Sequence, residues 1–380
     1  MGIMHYELCI VLCVRQLRIS IPYIDDFMGR MKIIMRICVV GLGNIGFNLF
    51  TFLQGRFPGM VTGIDINIER IRELQKKGYE VTGDYELLTT VDVWLMVLST
   101  GNQGQNLFAA LNQMCIRPGA LISIESTLPM GTMERVRDYF ERRGLTLGVD
   151  VFLICVPHRV MFGVDESVCD TPRVIGAFTK ACLKKGQDFY NPLVPELVEV
   201  SDVRLAELSK VVENVKRYVD VAFAQEIYRY CIRHGLDYDS LRSAVNSKVN
   251  VELLGTDWGI GGECLPKDMG FLRAVFDSPL LDGAECADKK YREEIVKGVG
   301  CDKKVLVSGL SFKQGVKDLK NSRGVDLVKS LEENGNTIWV EDPLFTPREL
   351  AEQGFQPYLN QTYSLALKRQ RALEPIREIP

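Results

Sequence analysis

The chain has 380 residues, 46% hydrophobic and 25% charged, which leaves room for two or three ordinary globular domains. A net charge of -3 gives no electrostatic case for nucleic acid or an anionic membrane as a partner. Eleven cysteines without a CxxC pair, and only three histidines, argue against a disulfide framework or a metal site; a reduced, cytoplasmic protein uses cysteine this way.

In chain order, residues 1–34 come first and fit no element. ELCIVLCV is apolar but too short to span a bilayer, and no small-residue cleavage site follows it. We read 1–34 as a poorly ordered leader or an incorrect start, with an extra packed segment as the alternative. RICVVGLGNIGFNLFTFLQ then reads as strand, glycine turn and helix. MVTGIDIN is a second strand ending in Asp65, and IERIRELQKKG a second helix closed by Gly78. VDVWLMVLST, ALISIEST and VDVFLICVP supply further buried strands. Apolar runs alternating with amphipathic helices predict an α/β fold, with a doubly wound parallel sheet.

A helical pattern without Gly or Pro runs from 203 to 234 and stops at Gly235. At roughly 45 Å it is long enough to span two domains or form a subunit interface. DYDSLRSAVNS begins another helix, with Asp239 or Ser240 as its cap. KKVLVSGLSF, SRGVDLVKSLEENG and NTIWVEDP form one more strand–helix–strand unit. SLALKRQRALEPIREIP reads as a charged helix and a tail, so this last domain is expected to be truncated.

GLGNIG spans Gly41 to Gly46 and includes Asn44 and Ile45. Its first glycine would make the tight turn, Gly43 would let a pyrophosphate approach the backbone, and Gly46 would let helix and strand pack closely. Asp65 would accept hydrogen bonds from ribose hydroxyls and repel a 2′-phosphate, which favours NAD over NADP. Arg70 lies one helical turn further on, within reach of the ribose edge or the phosphates.

GGECLPKDM places Cys264 in a polar stretch that we expect to be a loop, beside Lys267 and Asp268. A thiol in a dinucleotide enzyme points to aldehyde chemistry: a thiohemiacetal that loses a hydride becomes a thioester for water to cleave. The reaction needs a cation near the thiol or the oxyanion, and a base for the water. Lys267 and Asp268 are local candidates. Lys210 and Asn214 share a helix face at i, i+4, a spacing that also suits a surface lysine lying along an apolar stripe.

GLGNIG, ESTLPMGT at 125–132, PHRVMFG at 157–163, AELSKVVEN at 206–214, GGECLPKD and GLSFKQGVKDLKNS at 309–322 occur in one order. In these motifs the chain resembles the nucleotide-sugar 6-dehydrogenases, the UDP-glucose, GDP-mannose and UDP-N-acetylmannosamine dehydrogenase family, from about Met35 to Pro343. The resemblance implies an NAD-binding Rossmann domain at 35–200, a central helical domain at 201–298 that forms a homodimer, and a Rossmann-like UDP-binding domain at 299–380. It implies oxidation of a sugar C6 alcohol to a carboxylate by two NAD.

Carried over by the resemblance, Cys264 is the nucleophile, Lys210 and Asn214 hold the oxyanion, and Asp268 orients the thiol. Thr127 positions the catalytic water and also touches the cofactor, as do Thr100 and Lys267. Arg159, Gly261 and Lys313 join Lys210 and Asn214 at the UDP-sugar. Two positions depart from the family pattern. His158 stands where the family has a glutamate that assists hydrolysis, and histidine can relay protons there. Lys320 replaces an arginine at the cofactor or substrate and loses the planar fork. ESTLPMGT and VENVKRYVDVAFAQE favour UDP-N-acetylmannosamine, whereas GGECLPKD leans towards UDP-glucose. A truncated, non-catalytic relative that binds NAD or UDP-sugar is the third reading.

Overall fold

The computed structural model describes residues 35–101, 103–159, 170–313, 315–369 and 371–376. The expected leader at 1–34 and the end of PHRVMFG lie outside the described residues. Strands β1 (Ile37–Val40), β2 (Val61–Ile64), β3 (Val81–Thr82), β4 (Val93–Met96), β5 (Ala120–Ile124), β6 (Val151–Cys155), β7 (Arg173–Ala177) and β8 (Leu197–Glu199) form one sheet. Their order is β3-β2-β1-β4-β5-β6-β7-β8, and every pair is parallel except β6 with β7. ICVV, VWLM and ALISI are wholly buried, as strands covered on both faces require. Helices α1 (Asn44–Arg56), α2 (Ile68–Lys76), α3 (Gln105–Gln113), α4 (Thr132–Glu141) and α5 (Lys180–Tyr190) connect them. Strand order reverses between β1 and β4, so the loops after these strands part and leave a crevice.

Next come α6 (Val203–His234), α7 (Tyr238–Asn246), α8 (Cys264–Arg273) and α9 (Pro279–Val299). α6 has 32 residues, so it is about 48 Å long. The Asp202 carboxylate caps it by accepting from the Arg204 N–H, and Gly235 ends it with a left-handed φ of 65°. The helix ties the molecule together through three apolar clusters. Val203 and Ala206 belong to the core of the large sheet. Val211, Val215 and Tyr218 pack with Met269, Phe271 and Leu281 of α8 and α9. Ala224, Tyr228 and Cys231 join the C-terminal core. Among the described residues no helix is long and apolar enough to cross a membrane.

Three local expectations are corrected. The cap of α7 is Asp237, whose carboxylate accepts from the Ser240 N–H at 3.0 Å; Asp239 and Ser240 already lie in the first turn. Cys264 opens a helix rather than sitting in a loop, because Pro266 falls in the first turn, where its missing N–H costs nothing. The third correction concerns the C-terminal part. There β9 (Lys304–Ser308), α10 (Arg323–Glu333), β10 (Thr337–Glu341), α11 (Pro347–Glu352), β11 (Leu365–Lys368) and β12 (Arg371–Ile376) build a four-stranded sheet in the order β10-β9-β11-β12. The expected charged helix and tail are two strands. Leu365, Ala366 and Leu367 are all buried as β11 pairs in parallel with β9, and this pairing outweighs the charge-rich local sequence.

Candidate active site

The crevice between β1 and β4 is floored by the glycine loop. A Cβ at Gly41 would stand 2.5 Å from the Val97 carbonyl oxygen, and one at Gly46 would stand 1.8 Å from the Gly41 oxygen. These two glycines are therefore required by packing. A Cβ at Gly43 would meet nothing within 4 Å, so its backbone faces open space at the start of α1, just before Asn44 and Ile45. That opening fits a pyrophosphate on a helix N-terminus. Asp65, directly after β2, accepts from the Leu42 N–H at 2.6 Å and the Asn67 N–H at 2.8 Å, which aims its carboxylate at the loop. Arg70 donates to the Leu42 oxygen at 3.2 Å and lies 4.8 Å over the Phe47 ring. Thr100, after β4, donates to the Thr127 carbonyl at 3.0 Å, which brings the two threonines together on the other wall.

The second half of the site hangs on one face of α6. Lys210, Glu213 and Asn214 lie there within a helical turn. Asn214 and Lys267 both donate to the Asp268 carboxylate, which is fully buried. Lys210 lies 3.7 Å from Glu213, and Glu213 in turn pairs with Arg159 at 2.7 Å. At the first residue of α8, burial pushes the Cys264 thiol up and Asp268 adds to the rise, while Lys267 and Lys210 pull it down. The thiol is thus held neutral at rest, with two cations close enough to stabilise the thiolate when it forms. Gly261 and Gly262 bring the loop before Cys264 against the C-terminal part: the Gly262 N–H donates to the Asn321 carbonyl at 2.9 Å, and a Cβ at Gly261 would lie 3.0 Å from that oxygen. Lys320 stands 4.0 Å from Glu263, beside the thiol loop. Lys313 is pulled below its ordinary lysine value by burial and by the charge of Arg217 on α6, so two cations converge there.

His158, directly beyond β6, is buried with Glu125, Arg173 and Tyr190. Glu125 accepts from the Tyr190 hydroxyl at 2.5 Å and from Arg173 at 2.8 Å, and lies 2.7 Å from His158 Nε2. Arg173 also donates to the carbonyls of Val156 and Pro157, the two residues before His158. Sequence reading did not single out Glu125, Arg173, Tyr190, Glu213 or Arg217. Glu125 could have been found, since an acid directly after a largely apolar strand, ALISI, needs a buried partner.

Comparison with known proteins agrees with this architecture. Residues 204–284 match the UDP-glucose/GDP-mannose dehydrogenase family, central domain, and 306–374 match the UDP binding domain of the same family. An NDP-N-acetyl-D-galactosaminuronic acid dehydrogenase of Ralstonia nicotianae is 27% identical, over 84% of this chain and 86% of its own. A UDP-N-acetyl-D-mannosamine dehydrogenase of Campylobacter jejuni is also 27% identical, over 81% of this chain and 86% of its own. Among solved structures, the UDP-N-acetyl-mannosamine dehydrogenase of S. aureus superposes with a TM-score of 0.70 at 25% identity, covering 88% of each chain. Two segments of the chain are thus similar to the central and UDP binding domains of the UDP-glucose/GDP-mannose dehydrogenase family, in that order after the eight-stranded sheet.

Proposed function

We propose that the protein oxidises the C6 hydroxyl of a UDP-sugar to a carboxylate, using NAD twice, through a thioester on Cys264, and that the sugar is N-acetylmannosamine. The observation that carries this reading is the thiol at the head of α8, with the charges of Lys210 and Lys267 bearing on it and the Asn214–Asp268 pair alongside. The relatives' names support the class of sugar. The backbone of Gly41, Gly43, Asn44, Ile45 and Gly46 would hold the pyrophosphate, and Asp65 the adenine ribose, with Arg70, Thr100, Thr127, Lys267 and Lys320 around them. Bound NAD supplies the hydride acceptor for both oxidations.

In this reading the Cys264 thiolate adds to the C6 aldehyde and forms the carbon–sulfur bond. Lys210 and a second N–H of Asn214 donate to the oxygen that gains charge. Once the second hydride has left, the carbon is a thioester. His158 takes a proton from water, the water oxygen attacks that carbon, and the thiolate leaves. Arg159 and Gly261 face the sugar, while Lys313 and Arg217 suit the diphosphate as paired cations. We assign 35–200 to NAD, 201–298 to the central domain and 299–380 to UDP. A homodimer through α6 is supported by exposed Val212, Phe223 and Tyr230 along it.

The test is NADH yield under limiting UDP-N-acetylmannosamine, with UDP-glucose in parallel. Two NADH per UDP-N-acetylmannosamine are expected, and Cys264→Ser should yield none while still binding NAD. Two NADH per UDP-glucose alone would overturn the choice of sugar. Turnover by Cys264→Ser at the wild-type rate would overturn the thioester.

A further inference from the structure

Glu213 on α6 stands between two cations. Its Oε1 lies 2.7 Å from Arg159 Nε, and its Oε2 lies 3.7 Å from Lys210 Nζ. The side chains of Glu213, Arg159 and Lys210 are 33%, 30% and 17% exposed, so all three face an opening rather than the core. Arg159 is held from a second side as well, where its Nη1 donates to the Pro172 carbonyl at 3.0 Å. With Nε turned to Glu213 and Nη1 engaged by Pro172, the Nη2 edge of the guanidinium is left to meet a ligand. Exposed ion pairs of this kind add little to folding stability, so their chemistry is the more informative property.

The spacing matches a sugar ring. Lys210 and Asn214 are the donors assigned above to the C6 oxygen, and Glu213 is the residue before Asn214. The 3.7 Å contact with Lys210 is longer than a hydrogen bond, so Oε2 keeps its capacity to accept from a ligand. An oxygen held by Lys210 would lie within about 6–7 Å of Oε2, one hydrogen-bond length beyond that contact. A pyranose ring spans such a gap, so a sugar with C6 at Lys210 can set a ring substituent against Glu213 and Arg159. That substituent has to satisfy both groups: a carboxylate only accepts, and a guanidinium only donates. An acetamido group offers an N–H and a carbonyl oxygen in one plane. A hydroxyl has a single oxygen and cannot reach across the pair.

We propose that Glu213 and Arg159 are the specificity pair for an acetamido sugar: the Glu213 carboxylate accepts from the acetamido N–H, and the Arg159 guanidinium donates to the acetamido carbonyl. This rests on the UDP-sugar reading above. Neither residue takes part in the chemistry at C6. A site built to meet both halves of an amide rejects the analogue that lacks them, because its own donor and acceptor are then left unpaired.

The test sets UDP-N-acetylmannosamine against UDP-mannose, which carries a hydroxyl in place of the acetamide. Wild type should favour the acetamido sugar by about 100-fold or more in kcat/KM. Glu213→Ala should cut that preference by about tenfold or more, and Glu213→Gln, which keeps an acceptor oxygen, should retain more of it. Arg159→Lys keeps the charge but loses the planar fork, and should also lose preference. A pair that only pins the chain after β6 to α6 would slow both sugars equally, so an unchanged ratio in folded Glu213→Ala and Arg159→Lys would overturn the proposal. Calorimetry on the resting enzyme without NAD reads the same preference as a ratio of Kd values, with no chemistry involved. If wild type binds the acetamido sugar more tightly yet yields no NADH, the thioester reading fails, and the Kd ratios of the variants judge the pair. Equal affinity of wild type for the two sugars, or binding of neither, would overturn the pair itself.

Discussion

The side-chain amide of Asn214 donates to the carboxylate of Asp268 across the junction of α6 and α8, at a carboxylate with no solvent exposure. The same carboxylate accepts from Lys267, so both oxygens are engaged. One buried group therefore sets the distance between α6, which carries Lys210 and Asn214, and α8, which starts with Cys264.

Removing that acceptor should be felt in stability as well as activity. We expect Asp268→Ala to lower the unfolding free energy by about 2–4 kcal/mol, since it strands two donors, and Asn214→Ala by about 1 kcal/mol. A double-mutant cycle in urea should give a coupling of about 1–2 kcal/mol. Strict additivity would mean that the pair contributes nothing to the junction.

Gly43 and Gly46 should separate binding from folding. Gly43 has an ordinary φ of -65° and open space above it, so Gly43→Ala should melt within a few degrees of wild type but bind NAD about tenfold more weakly or worse. At Gly46 the new methyl would overlap a backbone oxygen, so Gly46→Ala should lower the melting temperature itself. Calorimetry and NAD titration read the two effects independently.

Acid should loosen the Glu125 cluster. Burial and the charge of Arg173 push His158 below its ordinary 6.5, against the pull of Glu125. For Glu125, burial pushes up, but the charges of His158 and Arg173 outweigh it and leave the carboxyl at about 2. Both groups bind fewer protons folded than unfolded, so stability falls as pH drops, first below about 6.5 for His158 and then from 4.5 towards about 2 for Glu125. Each contributes up to about 1.4 kcal/mol per pH unit within its window. Glu207 runs the other way. Burial raises it to about 7 despite donors from Gly131 and Met133, so its contribution is lost as pH rises from 4.5 through about 7. His158→Gln should flatten the limb below 6.5, and Glu207→Gln should remove the opposing decline, in chemical denaturation across pH.

Arg369, immediately after β11, donates to both oxygens of Asp257 at 2.8 and 3.2 Å and to the carbonyls of Ser311 and Phe312 at 2.7 and 2.8 Å. It fastens the loop that leads to Cys264 to the loop that carries Lys313. Arg369→Ala should cost about 2–3 kcal/mol and raise KM for the UDP-sugar more than it lowers kcat. An unchanged KM would separate the lock from the sugar site.

The sequence made some of these features legible and hid others. The glycine loop, Asp65 and α6 could be read because each rests on local signals: a strand-to-helix turn, an acid at a strand end, and a helix with no breaker before Gly235. The partners of His158 could not, because Glu125, His158, Arg173 and Tyr190 come from four separate elements and meet only when β5, β6 and β7 pair. The segment of β11 reads as a helix for a related reason: its buried triplet is covered in the sheet by pairing with β9, about sixty residues earlier.

Arg369 also sets a timetable. It is added 112 residues after Asp257, which at about 5–20 residues per second is a delay of roughly 6–22 s on the ribosome. During that interval the large sheet, α6 and the Cys264 helix have all been synthesised, but the two loops around the thiol lack their shared clasp. The nascent chain therefore spends that interval with Cys264 in place and the loops of Asp257 and Ser311 unclasped. Competence for the reaction should arrive abruptly, with the pairing of β11 on β9, rather than grow as the chain lengthens.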